Sequence, residues 1–378
     1  MVQEKRLVQQ FFDLVTVDSE SGNEAEISEV LKKRLAELGL SVTEDNAAEI
    51  TGHGANNIFA ALEATEDAKN QPTILFTCHM DTVTPGNGIK PRIDEDGYIR
   101  SDGTTILGSD DKAGIAALFE AIQVAKENKL SHANIQVVIT VGEESGLLGA
   151  RAIDPSMLTA SYGYALDSNG DIGDIAVAAP TQAHIEIEIF GKSAHAGVSP
   201  EKGISAIQVA AKAVSAMKLG RIDEETTANI GRFEGGGPTN IVCDYVKLVA
   251  EARSIREDKL EAQVASMKQA VEETVESYQA KAVFQSNIVY PAYHHPDSSA
   301  VVQLACRAIR ALNLEPRTFH SGGGSDANVF NGLGVPTVNL AVGYEHIHTT
   351  KEQIKVDNLI KTSQLVVELL KQSAQVQD

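Results

Sequence analysis

The chain has 378 residues, of which 43% are hydrophobic and 22% are charged, a composition typical of a globular protein of about two domains. A net charge of −20 without a visible basic patch argues against a nucleic-acid partner, and no apolar run approaches the roughly 20 residues of a membrane span. Three cysteines without a Cys-x-x-Cys pair, and an N-terminus without an export signal, predict a reducing, cytoplasmic setting.

Short apolar runs alternate with helical patterns over the first 177 residues. Strands are predicted over residues 73–77, 135–141 and 162–166, and a helix is predicted over residues 113–128. Unbroken apolar strands that alternate with helices are typical of a parallel sheet covered on both faces. We therefore expect an α/β fold with a mostly parallel sheet.

A different pattern runs from residue 178 to residue 289. Residues 182–191 (QAHIEIEIFG) alternate apolar and polar side chains, which indicates a half-exposed strand. A helical stretch, a second alternating region, a charged helix and a closing strand are predicted next, over residues 204–217, 241–254, 258–280 and 282–287. This order resembles a β-α-β-β-α-β sandwich, so we expect residues 178–289 to form an inserted, ferredoxin-like α+β domain.

The first pattern returns after residue 290. A helix is predicted over residues 301–312, an apolar run covers residues 336–342, and a final helix is predicted over residues 356–372. We therefore expect residues 1–177 and 290–378 to form one discontinuous catalytic domain, which the insertion interrupts.

Acidic residues and histidines follow successive apolar segments of the expected catalytic domain. They are His79 and Asp81, Asp110 and Asp111, Glu143 and Glu144, Asp167, and Glu345, His346 and His348. Ligands bind at the carboxyl ends of the strands in an open α/β sheet. So many carboxylates in one place would repel one another unless cations lay among them, and a set of histidines and carboxylates suits zinc. The pattern predicts a site for two divalent ions, with cobalt and manganese as alternatives to zinc.

Each motif taken alone also has a structural explanation. Asp110 and Asp111 would be favourable charges at the start of a helix, and Glu143 and Glu144 would suit a solvated turn. The residues themselves do not decide which of the two glutamates would bind metal and which would act as a base. The joint occurrence of the motifs behind successive segments favours the metal site.

Seven stretches carry a resemblance to a known family: CHMDTV, GSDDKAG, GEESG, ALDSNG, GKSAHAG, GGGSDANVF and IHTTKE. In this order they resemble the superfamily of two-zinc exopeptidases that includes peptidase T, aminoacylase and carboxypeptidase G. GSDDKAG and SAHAG are most similar to the peptidase T branch. The resemblance implies a metal-dependent exopeptidase that hydrolyses short peptides, first of all a tripeptide aminopeptidase. An N-acyl amino acid amidohydrolase or a carboxypeptidase is the alternative, and a catalytically silent metal-binding or assembly protein is a third hypothesis.

The resemblance also implies roles for single residues. The expected metal ligands are His79 and Asp167 for the first ion, Glu144 and His348 for the second, and Asp110 as a bridge between both. Asp81 would accept a hydrogen bond from the His79 imidazole. Glu143 would take a proton from a metal-bridging water and pass it to the leaving amine. His346 competes with His348, but only His348 has the glutamate of the family pattern, Glu352, four residues later.

Four residues of the inserted domain and the glycine loop are the expected substrate contacts. His195 would hydrogen-bond the substrate carbonyl oxygen, or else it would cap the loop that follows it. Arg253 would grip a peptide carboxylate, or else it would form a salt bridge within its own domain. Asn240 matches a substrate-contacting position, and Gly323 would let the backbone approach the substrate closely. The resemblance also implies a lid role for this domain and a possible homodimer formed through it.

Overall fold

A computed structural model describes residues 1–375, which divide into two units. Unit 1 comprises Met1–Ala178, His295–Ser321 and the chain from Ser325 onwards, and unit 2 comprises Ala179–His294 and Gly322–Gly324. The second junction therefore follows His294, not residue 289. The reason is local, because the Ala292 amide donates a hydrogen bond to Thr181 Oγ1 (2.7 Å) and so holds the chain beyond residue 289 in unit 2.

Ten α-helices occur within residues 1–375. They are α1 (Glu4–Val15), α2 (Ala25–Glu37), α3 (Ala47–Thr51), α4 (Ser109–Asn128), α5 (Leu148–Arg151), α6 (Ala206–Ala216), α7 (Glu257–Ser277), α8 (Ala300–Ala311), α9 (Asp326–Gly332) and α10 (Val356–Ser373). Within the same residues, no helix combines the length and the apolar character that crossing a membrane requires.

The strands fall into one large sheet and one small sheet in unit 1, and one sheet in unit 2. In chain order they are β1 (Ser41–Glu44), β2 (Ile58–Leu62), β3 (Ile74–His79), β4 (Arg92–Ile93), β5 (Tyr98–Arg100), β6 (Ile135–Thr140), β7 (Tyr162–Ser168), β8 (Asp174–Ala179), β9 (Thr181–Phe190), β10 (Gly220–Arg221), β11 (Thr226–Gly235), β12 (Tyr245–Ser254), β13 (Lys281–Tyr290), β14 (Tyr293–His294), β15 (Arg317–His320), β16 (Thr337–Ala341), β17 (Tyr344–Glu345) and β18 (Gln353–Lys355).

The large sheet of unit 1 runs in the order β1-β2-β6-β3-β7-β16-β8, with β15 beside β8. The pairs β6-β3, β3-β7, β7-β16 and β8-β15 are parallel, whereas β1-β2, β2-β6 and β16-β8 are antiparallel. The predicted α/β class with a mostly parallel sheet is therefore confirmed.

Burial explains why the central strands read as continuous apolar runs. All six residues of β3 and all six of β6 are buried, and helix α4 is buried along almost its whole length. Helix α4 packs against β3 and β7 and also against α1 and α10, so it lies in the interior of unit 1. Its helical geometry is interrupted at Asp110 and Asp111, whose backbone angles are not helical.

Unit 2 contains an antiparallel sheet in the order β10-β11-β12-β9-β13, with α6 and α7 packed against it. Strand β9 shows the cause of the alternating pattern, since Ala183, Ile185, Ile187 and Ile189 are buried and the residues between them are not. The element order contains the predicted β-α-β-β-α-β sequence. Strand β11 had not been predicted, because its segment TTANIGRFEG is polar and rich in glycine.

Candidate metal centre

Three of the predicted metal ligands lie at the carboxyl ends of three neighbouring parallel strands. His79 is the last residue of β3, Asp167 is next to last in β7, and Glu144 lies in the turn after β6. Because β6, β3 and β7 are adjacent and parallel, these ends meet at one edge of the sheet. The start of α4 adds Asp110 at the same edge.

Asp110 lies between two imidazole rings. Its Oδ1 atom is 3.0 Å from His79 Nε2, and its Oδ2 atom is 3.3 Å from His348 Nε2. One carboxylate thus presents one oxygen to each histidine, which is the arrangement needed to bridge two ions. Asp110 and His79 are buried, whereas the side chain of His348 is about half exposed, at 49%.

Asp167 and Glu144 complete the cluster on its two sides. Asp167 Oδ1 is 3.8 Å from His79 Nε2, and Glu144 Oε1 is 2.9 Å from His348 Nε2. Ligand atoms of His79, Asp110 and Glu144 all lie within 4.8 Å of one another, as do those of His79, Asp111 and Asp167. The five residues that the resemblance implied as ligands therefore lie together.

The pKa shifts within the cluster indicate that its carboxylates favour positive charge nearby. Contacts with Asp110 and then Glu144 raise the pKa of His348 to about 10. For His79, burial disfavours the charged form, yet the hydrogen bonds to Asp110 and Asp81 outweigh it and raise the pKa well above its ordinary value. Burial raises the pKa of Asp167 as well, and the charge of Asp110 adds to this effect. The crowded carboxylates thus favour positive charge beside them, and bound divalent ions would supply it.

The donor set suits a pair of divalent ions. Three carboxylates and two imidazoles are ligands that zinc, cobalt and manganese all accept. Asp111 Oδ1 is buried at the same edge and has no hydrogen-bond partner within residues 1–375, so one carboxylate oxygen beside the cluster is left unsatisfied. The side chains of this cluster therefore fit a pair of divalent metal ions.

Asp81 anchors both the first histidine and the turn that carries the glutamates. His79 Nδ1 is 3.0 Å from the Asp81 carbonyl oxygen and 3.3 Å from Asp81 Oδ1, so carboxylate and carbonyl both face the ring nitrogen. The Asp81 carboxylate also accepts hydrogen bonds from the amides of Glu143 (3.0 Å) and Glu144 (3.2 Å) and from Ser21 Oγ (2.6 Å). The buried carboxylate thereby sets the position of the ligand and of the turn together.

The Glu143 carboxylate has no hydrogen bond or ion pair within residues 1–375. Its removal from water raises its pKa well above the ordinary value, and the charges of Asp326, Glu144 and Asp110 add to this shift. A carboxylate with a raised pKa and no partner is suited to accept and release a proton.

Glu352 holds the loop that carries Asp110, a function that the sequence analysis had not assigned to it. Its Oε2 accepts hydrogen bonds from the amides of Leu107 and Gly108 (both 2.8 Å). Its Oε1 accepts from Ser109 Oγ (2.6 Å) and from the Asp110 amide (3.1 Å). Glu352 is buried, so both of its oxygens are committed to this loop.

Further buried polar residues around the cluster had also been missed. Lys112 donates a hydrogen bond to Ser19 Oγ (2.8 Å), and burial lowers the pKa of Lys112 to about 8. Burial raises the pKa of Asp326 to about 6, and Asp326 accepts a hydrogen bond from Thr140. Lys112 and Asp326 stand within the motifs GSDDKAG and GGGSDANVF, so the motifs themselves carried a signal for both.

His195 and Asn240 lie in adjacent exposed segments of unit 2. The Ala196 amide donates a hydrogen bond to the Asn240 carbonyl oxygen (2.8 Å). His195 Nδ1 accepts from the amides of Gly197 (3.2 Å) and Val198 (3.1 Å), so the ring caps the following loop. In the neutral ring, acceptance at Nδ1 places the proton on Nε2, which can then donate to a ligand. The capping contact and a substrate contact are therefore compatible.

Arg253 forms the salt bridge that was the alternative to a substrate contact. Its Nε and Nη2 atoms each lie 2.9 Å from an oxygen of Glu251. A Cβ atom placed on Gly323 would lie 4.0 Å from Arg253 Nη1, so the glycine loop passes beside the guanidinium within unit 2. Nη1 takes no part in the pair with Glu251 and lies beside the loop.

The chain matches the peptidase family M20/M25/M40 over residues 75–372. The protein YqjE of Bacillus subtilis is 56% identical over 374 residues, which cover 99% of this chain and 100% of that protein. The crystal structure of the aminopeptidase PepT from Bacillus cereus is 57% identical, with a TM-score of 0.92 over 99% of this chain and 100% of that one. A tripeptidase structure from Staphylococcus aureus is 47% identical, with a TM-score of 0.96 and full coverage of both chains.

Proposed function

Because this chain belongs to the peptidase family M20/M25/M40, as the motifs predicted, we propose that it is a metal-dependent aminopeptidase that removes the N-terminal residue of tripeptides. The similar structures from Bacillus cereus and Staphylococcus aureus, an aminopeptidase and a tripeptidase, support this substrate class. The observation that carries the proposal is the position of Asp110, whose two oxygens each face one histidine.

We propose His79 and Asp167 as ligands of one ion, Glu144 and His348 as ligands of the other, and Asp110 as the bridge. When bound, two such ions polarise the scissile carbonyl and lower the pKa of water. The side chains of the protein would orient the ligands and transfer the proton. Asp81 keeps the His79 ring in the orientation that leaves Nε2 free to bind, since Nδ1 faces the Asp81 oxygens.

Glu143 is the proposed general base. Its carboxylate would take a proton from the attacking water and deliver it to the nitrogen of the leaving amine. The lack of any other partner for this carboxylate within residues 1–375 supports the role, because nothing competes for its oxygens.

The residues of unit 2 are the proposed substrate contacts. His195 would donate from Nε2 to the carbonyl oxygen as negative charge develops there. Arg253 would bind the peptide carboxylate through Nη1 while Glu251 orients the guanidinium from the other side. Asn240 and the Gly323 backbone would contact the remainder of the peptide.

Zinc is the proposed native metal, with cobalt and manganese as substitutes, and a cytoplasmic location is proposed with it. The three cysteines are free, which agrees with a reducing compartment. A homodimer formed through unit 2 is also proposed. Its support is the exposed apolar surface of that unit, where Phe190, Val198, Ile241 and Ile288 are each at least 38% exposed.

The decisive test is the isosteric Glu143→Gln variant. We expect hydrolysis of tri-alanine to fall by about 10²–10⁴-fold, because the base is lost, while the metal content measured by elemental analysis stays that of the parent. Loss of the metals from the variant, or undiminished turnover, would overturn the assignment of Glu143.

Substrate class requires a separate assay with the parent enzyme. Tri-alanine, di-alanine, N-acetyl amino acids and N-blocked dipeptides are compared at equal concentration, before chelation and after zinc re-addition. We expect metal-dependent cleavage of tri-alanine with release of its first residue. Cleavage of the blocked substrates alone would instead identify an amidohydrolase or a carboxypeptidase, and no cleavage of any would favour a silent protein.

A further inference from the structure

A cavity of unit 1 lies at the amino ends of the parallel strands, the opposite edge from the candidate metal centre. Its volume is about 490 Å³. Pro72, Ser161 and Pro336, which lie one or two residues before strands β3, β7 and β16, form one side, and the first two turns of helix α8 form the other. The apolar side chains Val301 and Leu304 contribute to its walls.

Two hydroxyl groups of the cavity lining lack partners. Tyr162 Oη and Ser299 Oγ are both buried, and neither has a hydrogen-bond partner within residues 1–375. The neighbouring Tyr164 differs, because its hydroxyl donates to the Val301 carbonyl oxygen (2.8 Å). An unmet buried hydroxyl is costly. Both oxygens are shielded from water, so each side chain has to rotate slightly to bring its hydroxyl to an acceptor in the cavity.

The charges around the cavity favour an anion. Arg307 is exposed at the rim of the cavity and forms no ion pair with a carboxylate within residues 1–375; its Nε makes only a long contact of 3.4 Å with Gln372. The lining residues include no acidic side chain. Ser299 is the N-cap of the twelve-residue helix α8 but makes no capping hydrogen bond, so the first-turn amides of that helix are not satisfied by its hydroxyl.

We propose that this cavity binds a small carboxylic acid with an apolar body, at a site separate from the metal centre. The carboxylate would pair with Arg307, and the Tyr162 and Ser299 hydroxyls would rotate towards the cavity to donate to its oxygens. The apolar body would lie against Val301 and Leu304. A free amino acid would bind less well, since its ammonium group would meet no negative side chain in the lining.

Calorimetric titration with 3-phenylpropanoate tests the proposal, with 3-phenylpropanamide as the neutral probe of the same shape. We expect one saturable site per chain for the acid and binding at least about tenfold weaker for the amide. Arg307→Gln should weaken binding of the acid by about tenfold or more, and Tyr162→Phe and Ser299→Ala by about two- to tenfold each. Arg310→Gln, on the same helix outside the cavity, is the matched control and should bind like the parent.

The metal centre is excluded as the binding site by repeating the titration with the Asp110→Asn variant. The affinity for the acid should be unchanged there, and the melting temperature of each variant verifies its folding. Three results would overturn the proposal: no saturable binding, loss of binding in Asp110→Asn, or equal affinity for acid and amide. Failure of tripeptide hydrolysis would leave this test unaffected, because the two readouts are independent.

Discussion

The metal centre of unit 1 and the proposed substrate contacts of unit 2 are built in opposite ways. Around Asp110, buried side chains hold one another, and most ligands have a partner that fixes their orientation. In unit 2, His195 and Asn240 are exposed and are fixed mainly through the backbone of neighbouring loop segments. The proposed chemistry would thus be preorganised inside one unit, whereas the proposed recognition by His195 and Asn240 would depend on side chains that remain open to water.

This contrast between buried and exposed residues indicates which part of the site requires rigidity. A bridging carboxylate has to meet two ions within a few tenths of an ångström, and buried hydrogen bonds provide this precision. For residues that bind peptides of varied sequence, the right charge and a hydrogen-bond donor matter more than a fixed side-chain position. If this view is correct, substitutions around Asp110 should abolish function, and substitutions in unit 2 should change substrate affinity.

The largest effect is expected for Asp110→Asn. The neutral amide offers one oxygen and so cannot bridge two ions, and we expect loss of metal and hydrolysis below detection. Elemental analysis and the tri-alanine assay measure both quantities. Asp102→Asn, at an exposed aspartate nearby in sequence, is the control and should match the parent. Full metal occupancy in Asp110→Asn would contradict a bridging role.

A smaller loss is expected for Glu352→Gln, which contacts no proposed ligand side chain. Glutamine would present its amide group to donors that now meet the second carboxylate oxygen, so the loop before Asp110 would shift. We expect zinc affinity, measured by competition with a chelator, to fall by about 10–100-fold. Asp357→Asn on the exposed first turn of α10 is the control. Unchanged affinity would show that the loop holds its position without Glu352.

Arg253→Gln tests the other half of the comparison. Loss of the guanidinium should raise KM for tri-alanine by about tenfold, since a charged hydrogen bond to the peptide carboxylate disappears, with the metal content unchanged. Lys247→Gln, which removes another cation from strand β12, is the matched control. An unchanged KM would restrict Arg253 to its salt bridge with Glu251.

The smallest effect is expected for His346→Asn. His346 and His348 both have positive φ angles, 58° and 61°, and asparagine tolerates this backbone conformation, so the substitution tests only the ring. We expect activity and metal content like the parent for His346→Asn and loss of metal for His348→Asn. The opposite result would exchange the roles of the two histidines.

The sequence was sufficient to predict the α/β class and the strands that carry the centre. Continuous apolar runs identified β3, β6 and β7, because burial on both faces favours apolar residues along most of each strand. Positions just after these runs identified His79, Glu144 and Asp167 as neighbours. Strand β11 was missed since polar residues and glycine make up most of it, and it is held by pairing with β12.

The network behind the ligands could not be predicted in the same way. Glu352 and Ser109 are 243 residues apart in the chain, and no periodicity links them. The same holds for Thr140 and Asp326, which are 186 residues apart. Such contacts depend on tertiary packing, so a motif identifies the residue and only the structure identifies its partner.

The Asp81 carboxylate, which faces His79 and accepts from the amides of Glu143 and Glu144, has a consequence for how the enzyme can change. One side chain contacts both the proposed ligand on β3 and the turn of the proposed base after β6, so any replacement at this position should damage both together. In a mutant library selected for peptide hydrolysis, variation should therefore be excluded at position 81 and should accumulate in unit 2. New peptide preferences can arise there while the hydrolytic apparatus is inherited unaltered.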